Sequence, residues 1–308
     1  MIDVIIPTYC PDARFLLLLD RLKEQREPVR NVIVMNTARK RFTEKLPEID
    51  FKERYPFVKL YHLSERDFDH GGTRREGIAK SDADYVLLMT QDAVPADETL
   101  TQELLQALTQ NERVVAAYAR QLPREGASPE EAFERSFNYP KTSRLQTRTD
   151  IKTLGFKAFY CSNVCAMYQK EAYDALGGFL ERAIFNEDVY FAQKAVRKGY
   201  AIAYAAKAQV IHSHGYTCLE QLHRNFDQGV SQAMHPEMFE DVPQEKEGMR
   251  LVKACSAYLL EHGAAHRIPY FYVKCAFRLL GYRAGKHFRR LPKRACHALA
   301  MNKTFFER

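Results

Sequence analysis

The feature that most constrains this chain is the alternation of short apolar runs with helix-like stretches over roughly its first 120 residues. Apolar and β-branched runs typical of buried strands occur at 3–6, 31–35, 57–61, 85–89 and 114–119. Helical patterns separate some of them, at 15–22, 72–80 and 97–109. Repeated βαβ units predict an α/β fold, with a mainly parallel sheet flanked by helices. Ligands of such sheets bind beyond the carboxyl ends of the strands, where loops converge.

Later parts of the chain continue this pattern and then change character. Residues 121–153 are polar and contain prolines, so we interpret them as a functional or mobile loop. Further strands and helices are predicted at 162–168, 170–176, 187–198 and 200–210. After His214 the pattern is mostly helical. We therefore predict two domains, an α/β domain at 1–215 and a helical C-terminal region at 216–308.

Composition narrows the class of protein. The chain has 308 residues, of which 46% are apolar and 28% charged, which is typical of a folded protein and excludes disordered and collagen-like classes. Its seven cysteines include no CxxC pair, which argues against a disulfide framework and a structural zinc site and favours the reducing cytosol. The N-terminus lacks the pattern of a signal peptide, and no run of about 18 uncharged apolar residues predicts a membrane span.

Positive charge is concentrated in the last part of the chain. Residues 267–308 contain eleven Lys or Arg and one acid, whereas the whole chain carries a net charge of +7. Eight Phe or Tyr side chains are interleaved with these basic residues. This combination favours contact with an anionic membrane surface, with nucleic acid as a second candidate and a solvated basic helix as a third interpretation.

A first cluster of candidate functional residues, 90–95 (TQDAVP), directly follows the apolar run at 85–89. The carboxylate of Asp92, on a turn held by Pro95, is placed to contact a metal ion bound to phosphate, since Mg²⁺ and Mn²⁺ combine one or two protein oxygens with phosphate oxygens. The alternative is that Asp92 only forms a turn before the helix at Asp97.

A second cluster, 68–77 (FDHGGTRREG), places two glycines before a predicted helix. Gly72 would let the backbone approach an anion, helix N–H groups would point toward it, and Arg74 or Arg75 could bind phosphate. The sequence matches neither a Walker A loop nor a GxGxxG fingerprint. The alternative is a glycine-rich turn with solvated arginines.

A third cluster, NED at 186–188, opens a predicted helix. Either carboxylate could act as a general base that removes the proton of an acceptor hydroxyl. Adjacent positions on a helix point in different directions, so one acid acts, and we assign Asp188 with Glu187 as its neighbour. The alternative is that these acids only cap the start of the helix, where the helix dipole favours negative charge.

A weaker feature is the histidine pair at the end of the last predicted strand. Alternation along a strand would put His212 and His214 on one face, where neutral imidazoles could bind a metal ion or a phosphate. The alternative is a structural pair that forms ordinary hydrogen bonds.

Taken together, the motifs resemble those of the inverting glycosyltransferase family 2, and more narrowly its rhamnosyltransferase-like branch. They are VIIPTY, HGGTRREG, LLMTQDAVP, CSNVCAMY, LGGF, NEDVYFAQKAVRKGY and VIHSHGYT, and they span about residues 1–235. The resemblance implies the Rossmann-like GT-A fold, a nucleotide-sugar donor and a divalent cation, Mg²⁺ or Mn²⁺. It identifies QDA as a form of the DxD motif, with Asp92 as the metal ligand, and NED as the ED motif, with Asp188 as the base.

The resemblance also assigns residues to the donor site. It implies that Pro7, Thr8 and Tyr9 line the nucleobase pocket and that Arg74 lies near the nucleotide. We place Gln91 and Gly72 in the same donor site. Two positions depart from the family pattern: Asn36 stands where many members have an acid and could still bond a pyrimidine, and Arg75 stands where the branch has an amide.

We therefore predict an inverting transfer of a sugar, such as rhamnose from dTDP-rhamnose, to a hydroxyl of a growing, lipid-linked polysaccharide. Metal at Asp92, with His212 or His214 nearby, would offset charge on the leaving diphosphate. The basic tail would hold a cytoplasmic enzyme at the inner face of the plasma membrane, and no nucleic acid partner is expected. The alternatives are a nucleotidyltransferase of similar architecture and a non-catalytic protein that binds polyanions or membranes.

Overall fold

The computed structural model describes residues 1–238 and 245–307, which form two compact units. The first unit comprises residues 1–121, 140–182 and 187–212, and the second comprises 122–139, 183–186 and the described residues from Ser213 onward. The boundary after residue 215 that the sequence suggests stays a prediction. In the structure the second unit also takes up two earlier segments, which neither composition nor periodicity indicates.

A single sheet of nine strands is found in the described residues. Its strands are β1 (Ile2–Tyr9), β2 (Val29–Thr37), β3 (Val58–Leu63), β4 (Tyr85–Met89), β5 (Val94–Pro95), β6 (Val114–Leu122), β7 (Arg144–Gln146), β8 (Cys165–Gln169) and β9 (Ala201–Ile211). Their order is β3-β2-β1-β4-β8-β6-β9-β5, and β7 pairs with β9. The α/β class is confirmed, but the sheet is mixed rather than mainly parallel.

The sheet has a parallel half and an antiparallel half. Strands β1 to β4 pair in parallel, as βαβ units require. Strand β8 pairs antiparallel with both β4 and β6. It therefore begins where β4 ends, with Cys165 opposite Met89. Strand β9 likewise ends where β5 begins, with Ile211 opposite Val94. The segments after β1, β2, β4 and β9 and before β8 therefore meet at one edge, which we call the site edge.

Helices of the first unit are α1 (Ala13–Lys23), α2 (Arg39–Thr43), α3 (Glu48–Arg54), α4 (His70–Ala79), α5 (Leu100–Thr109), α7 (Ile151–Leu154), α8 (Lys170–Ala175) and α9 (Glu187–Arg197). Side chains alternate along β1, so Val4 and Ile6 join the core cluster of α1, whereas Ile5 faces α4. A Cβ at Gly77 of α4 would lie only 2.6 Å from Ile5 Cγ2. Helices thus cover the parallel half on both faces.

Helices of the second unit are α6 (Pro129–Asn138), α10 (Cys218–Met234), α11 (Glu245–Glu261), α12 (Ile268–Lys286) and α13 (Lys293–Leu299). The interpretation of 121–153 as a loop was wrong, since this stretch contains α6 and β7. Helix α6 begins with a Ser128 cap, Pro129 and two acids, all favourable at a helix start. In the described residues, no helix is both long enough and apolar enough to span a bilayer.

Helices α10 and α12 pack at very short distance in the second unit. A Cβ at Gly281 would lie 2.2 Å from the Leu222 carbonyl oxygen, and one at Gly285 would lie 2.1 Å from that of Phe226. Two arginines of the basic region form ion pairs with α6, Arg267 with Glu130 at 2.8 Å and Arg278 with Glu134 at 2.7 Å. Part of the basic charge is therefore structural.

Candidate active site

The turn after β4 is fastened to the end of β1 by the side chain of Gln91. Its Oε1 accepts a hydrogen bond from the Tyr9 backbone N–H at 2.8 Å, and its Nε2 donates to the Tyr9 carbonyl at 3.0 Å. Tyr9 keeps 47% of its surface exposed at the site edge, and Pro7 of the same strand is partly exposed. A half-exposed aromatic ring at a strand end suits stacking on a flat ligand.

A chain of hydrogen bonds extends sideways from Thr8 into the protein. Thr8 Oγ1 donates to Asn36 Oδ1 at 3.0 Å, Asn36 Nδ2 bonds His62 Nδ1 at 2.9 Å, and His62 Nε2 bonds Glu48 Oε1 at 3.1 Å. Asn36 is completely buried, so its amide positions Thr8 and His62 in this structure. Its contact with a nucleobase stays a prediction and would require these bonds to open.

The protonation of His62 follows from its neighbours. Because the Asn36 amide donates to Nδ1, the imidazole proton lies on Nε2 and is donated to Glu48. Burial, aided by the charges of Arg39 and Lys52, lowers the pKa of His62, although Glu48 opposes this shift. The hydrogen-bonded chain that begins at Thr8 therefore contains a neutral His62 at neutral pH.

Asp92 and His212 lie side by side at the site edge, because β5 pairs with the end of β9. Asp92 Oδ2 is 3.6 Å from His212 Nε2. His212 Nδ1 lies 3.0 Å from Gln121 Oε1, an atom that can only accept, so Nδ1 carries the proton. Gln121 Nε2 donates to Ser162 Oγ at 3.0 Å, which fixes the orientation of that amide. His212 Nε2, the other ring nitrogen, faces Asp92.

This pair has the chemistry of a divalent-cation site. A carboxylate oxygen and an unprotonated imidazole nitrogen are common metal ligands, and a second hydrogen bond from the imidazole to an amide oxygen orients the ring as in protein metal sites. His214, the other predicted ligand, lies two residues further along in the second unit, where its ring stacks on Tyr216 at 4.8 Å. Its role as a ligand stays a prediction.

The glycine-rich segment uses Gly72 to close the start of α4. The side chain of Asp69 caps the helix and accepts a hydrogen bond from the Gly72 N–H at 2.7 Å. A Cβ at Gly72 would lie 2.7 Å from the Asp69 carboxylate and 3.0 Å from the Glu181 carbonyl oxygen. Glycine is therefore required here by close packing, whereas its contact with a donor phosphate stays a prediction.

The two arginines of this segment have separate partners. Arg74 is buried, donates to the His70 carbonyl at 3.0 Å and forms an ion pair with Glu187 at 3.3 Å. Arg75 instead donates to the Phe179 carbonyl at 3.1 Å. In this structure Arg74 neutralises an acid of the ED motif, and phosphate binding by either guanidinium stays a prediction. The place of Arg74 near the nucleotide stays a prediction.

Asn163 organises the two acids at the start of α9. Its backbone N–H donates to Asp188 Oδ2 at 2.9 Å, and its side-chain amide donates to Glu187 Oε1 at 2.9 Å. The hydroxyl of Tyr168 in turn donates to Asn163 Oδ1 at 2.7 Å. Glu187 is buried, whereas Asp188 keeps part of its surface accessible. Only Asp188 of the two is placed to meet a substrate.

The environment separates the acidities of these neighbouring carboxyls. Burial and the adjacent charge of Glu187 raise the pKa of Asp188 to about 7. Burial also opposes ionisation of Glu187, but the charges of Arg74 and His70 and the amide of Asn163 prevail and lower its pKa. One buried acid therefore stays ionised, and one accessible acid titrates near neutrality, the range in which a general base works best.

Asp92 and Asp188, nearly a hundred positions apart in sequence, are both placed at the site edge. Ser162 and Asn163 lie directly before β8, one bonded to the Gln121 that orients His212 and the other to Asp188. The turn containing Asp92 joins the same region, since the Thr90 N–H donates to the Val164 carbonyl at 3.1 Å.

Sequence reasoning missed Gln121, Ser162 and Asn163 as site residues. Each is a buried, uncharged polar residue next to an apolar strand. A buried polar group requires a hydrogen-bonding partner, so such a residue at a strand end is the signal that could have indicated them.

Solved structures include two with a similar fold. A mannosyltransferase from Pyrobaculum calidifontis, solved in complex with GDP-Man and Mn²⁺, is 15% identical with a TM-score of 0.61, covering 92% of this chain and 86% of that one. TarS 1-349 from S. aureus is 16% identical with a TM-score of 0.55, covering 97% and 83%. These similarities confirm the GT-A architecture that the sequence predicts.

The chain itself belongs to glycosyl transferase family 2, whose model matches residues 3–177. It is 35% identical over 307 residues to the O-antigen chain rhamnosyltransferase RfbN of Salmonella typhimurium, covering 99% of this chain and 96% of that protein. It is 37% identical over 246 residues to the O-antigen chain rhamnosyltransferase WbaN of Salmonella anatum, covering 79% and 78%. The protein is a glycosyltransferase, which decides among the three functions that the sequence left open.

Proposed function

We propose that this glycosyltransferase transfers rhamnose, from a donor such as dTDP-rhamnose, to a hydroxyl of a growing, lipid-linked O-antigen polysaccharide. Two relatives named as O-antigen chain rhamnosyltransferases support this choice of sugar and acceptor. The observation that carries the chemistry is the accessible carboxyl of Asp188, with a pKa near 7, at the edge that also presents Asp92 and His212.

Asp188 is the proposed general base. It accepts the proton of the acceptor hydroxyl while that oxygen attacks the anomeric carbon of the donor sugar. The bond from this carbon to the diphosphate oxygen breaks as the new glycosidic bond forms, and attack from the opposite face inverts the anomeric centre. Burial raises the pKa of Asp188, and the adjacent buried ion pair modifies this shift, since Glu187 raises the pKa further and Arg74 lowers it.

Asp92, His212 and His214 are the proposed ligands of a divalent cation. The Asp92 and His212 atoms fit such an ion, and a mixed oxygen and nitrogen set favours Mn²⁺ over Mg²⁺, which prefers oxygen alone. When bound, the cation supplies positive charge that stabilises the leaving diphosphate. Gln121 holds the imidazole of His212 in the tautomer that binding requires.

The remaining predicted donor residues have distinct proposed roles. The half-exposed ring of Tyr9 stacks on the nucleobase, with Pro7 and Thr8 lining the same pocket. Asn36 acts from beneath by holding Thr8, and Gln91 acts by holding the Tyr9 backbone. The N-terminal turn of α4, which contains Gly72 and Arg74, lies on the diphosphate side of the donor.

The acceptor places the proposed reaction at a membrane. A lipid-linked polysaccharide is presented at a bilayer surface, and the basic aromatic region of the second unit would hold a cytoplasmic enzyme there peripherally.

Donor binding and hydrolysis test this proposal. Purified protein with Mn²⁺ should bind and slowly hydrolyse dTDP-rhamnose in preference to UDP-glucose or GDP-mannose. Asp188→Asn should keep donor affinity and lose at least about a hundredfold in transfer, because it removes the base and not the donor site. Asp84→Asn, at the opposite end of β4, is the matched control and should behave as wild type. Transfer by Asp188→Asn at the wild-type rate would refute the assignment of the base.

A further inference from the structure

The outer face of α12 presents large apolar side chains to solvent. Tyr272, Val273, Leu279 and Leu280 are each between 46% and 59% exposed. The pairs Tyr272–Leu279 and Val273–Leu280 are seven residues apart, so all four lie on one stripe of the helix, which Arg283 continues. We call these five residues the outer face of α12. Contiguous exposed apolar surface of this kind marks an interaction site.

Packing of the opposite side of α12 prevents the helix from rotating to bury its outer face. On the opposite side, Gly281 and Gly285 are seated against the carbonyl oxygens of α10 at distances that admit no Cβ, and Phe271 is fully buried. A hydrogen bond of 3.1 Å between the Tyr272 hydroxyl and Ser256 of α11 also fixes the rotation of α12. The orientation of the outer face is therefore determined by packing within the second unit.

The charged residues of α12 and of the segment that follows it have one sign. No acidic residue occurs in the sequence between Glu261 and Glu307. Of the basic residues of α12, Arg278 is paired with Glu134, whereas Arg283 forms no ion pair with an acid among the side chains described at 1–238 and 247–307. Arg289 and Arg290 follow directly and are exposed. An apolar stripe bordered by unneutralised arginines is the arrangement of a helix that lies in a membrane interface.

We propose that the outer face of α12 docks on an anionic bilayer, with its apolar side chains among the acyl chains and Arg283, Arg289 and Arg290 at the headgroup phosphates. This inference rests on the proposed membrane contact and gives it a surface, but it does not depend on which sugar is transferred. A second copy of this chain is a poorer occupant, because a symmetric contact through this face would bring like charges together.

Vesicle binding tests the inference with full-length protein. Wild type should sediment with vesicles of equal parts phosphatidylglycerol and phosphatidylcholine, and much less with phosphatidylcholine alone. Leu279→Ser/Leu280→Ser should lower the partition coefficient at least about tenfold, because the bilayer would no longer bury these two leucine side chains. Leu17→Ser/Ile49→Ser, which removes two exposed apolar side chains from the first unit, is the matched control and should bind as wild type.

A second variant keeps the test decisive if the leucine variant unfolds. Arg283→Gln/Arg289→Gln should lower binding to the anionic vesicles about fivefold for each charge, with little effect on phosphatidylcholine alone. Wild-type affinity of either well-folded variant for anionic vesicles would overturn the inference. The inference would also be overturned if wild type did not bind vesicles and instead formed a dimer that is lost in Leu279→Ser/Leu280→Ser.

Donor hydrolysis without vesicles separates this inference from the proposed function. Both variants should hydrolyse dTDP-rhamnose as wild type does, since neither touches the site edge. Absence of hydrolysis in wild type, together with vesicle binding that the variants lose, would reject the sugar assignment and support the docking face.

Discussion

The parallel and antiparallel halves of the sheet contribute to the candidate site in different ways. The parallel half presents partly exposed groups at strand ends, such as Tyr9 and Asp92, on a turn fastened by Gln91. The antiparallel half contributes a mostly buried network around Asn163 that sets which carboxyl is ionised. If the proposed roles are correct, we expect donor affinity to depend mainly on the parallel half and proton transfer on the antiparallel half.

Removal of the buried guanidinium of Arg74, which crosses from α4 to the ED motif, should have the largest effect. Arg74→Met leaves Glu187 buried without its cation, so the free energy of unfolding should fall by about 3–5 kcal/mol. Arg75→Met is the matched control and should cost less than about 1 kcal/mol, since this side chain is half-exposed. Urea unfolding measures both, and equal losses would show that the ion pair does not stabilise this half.

A comparison of two buried asparagines, one in each half, tests the division directly. Asn163→Ala and Asn36→Ala should each lower the free energy of unfolding by about 1–3 kcal/mol, because each leaves buried partners unsatisfied. Their kinetics should differ, with Asn163→Ala lowering kcat at least about tenfold and Asn36→Ala mainly raising the donor KM. A loss of kcat in both variants would break the comparison.

Removal of the amide that orients His212 should weaken metal binding. Gln121→Leu frees the imidazole to change tautomer, so Mn²⁺ affinity should fall about 10- to 100-fold. Gln91→Leu, in the other half, should leave Mn²⁺ affinity within about twofold while weakening donor binding. Titration calorimetry with Mn²⁺ alone measures this without turnover, and unchanged affinity of Gln121→Leu would exclude His212 as an oriented ligand.

The smallest expected effects are opposite pH dependences of the two halves. The pKa of Asp188 is raised from 3.8 to about 7, so the folded state binds the extra proton and stability falls as pH rises through this window. Asp188→Asn should therefore gain about 1–2 kcal/mol relative to wild type at pH 8. The pKa of His62 is lowered, so its contribution to the free energy of unfolding is lost as pH falls below 6.5. His62→Gln should therefore reduce the loss of stability at acidic pH.

Denaturant unfolding across pH checks both changes. The same pH dependence of stability in wild type and Asp188→Asn between pH 5 and pH 8 would contradict the raised pKa of Asp188. The transfer rate should rise with pH through about 7 in wild type, because the base must be deprotonated to accept a proton.

The parallel half is the part of the fold that sequence patterns predict well. Strand β4 coincides with the predicted run at 85–89, because a central strand buried on both faces is a continuous apolar run. The helix predicted from 97 begins at Leu100, since Asp97 and Thr99 instead form a hydrogen-bonded turn. Helix α6 was missed because its polar surface hides the helix-start signal at 128–131.

Side-chain commitments are harder to predict than positions. The motifs indicate Asp92, Asp188 and His212 as residues of one site, and the structure places them at one edge. They do not indicate that Arg74 forms an ion pair with Glu187, since local spacing does not reveal a partner more than a hundred positions away. Packing between segments that are distant in sequence creates such contacts, and periodicity reports only on near neighbours.

The dipeptide at 162–163 has a consequence for how the site can vary. Its two side chains leave the backbone in different directions, one towards the amide that orients His212 and the other towards Glu187. Inserting or deleting a single residue there would exchange their destinations and disconnect both. The spacing between the support of His212 and the support of the two acids is thus set by one peptide unit.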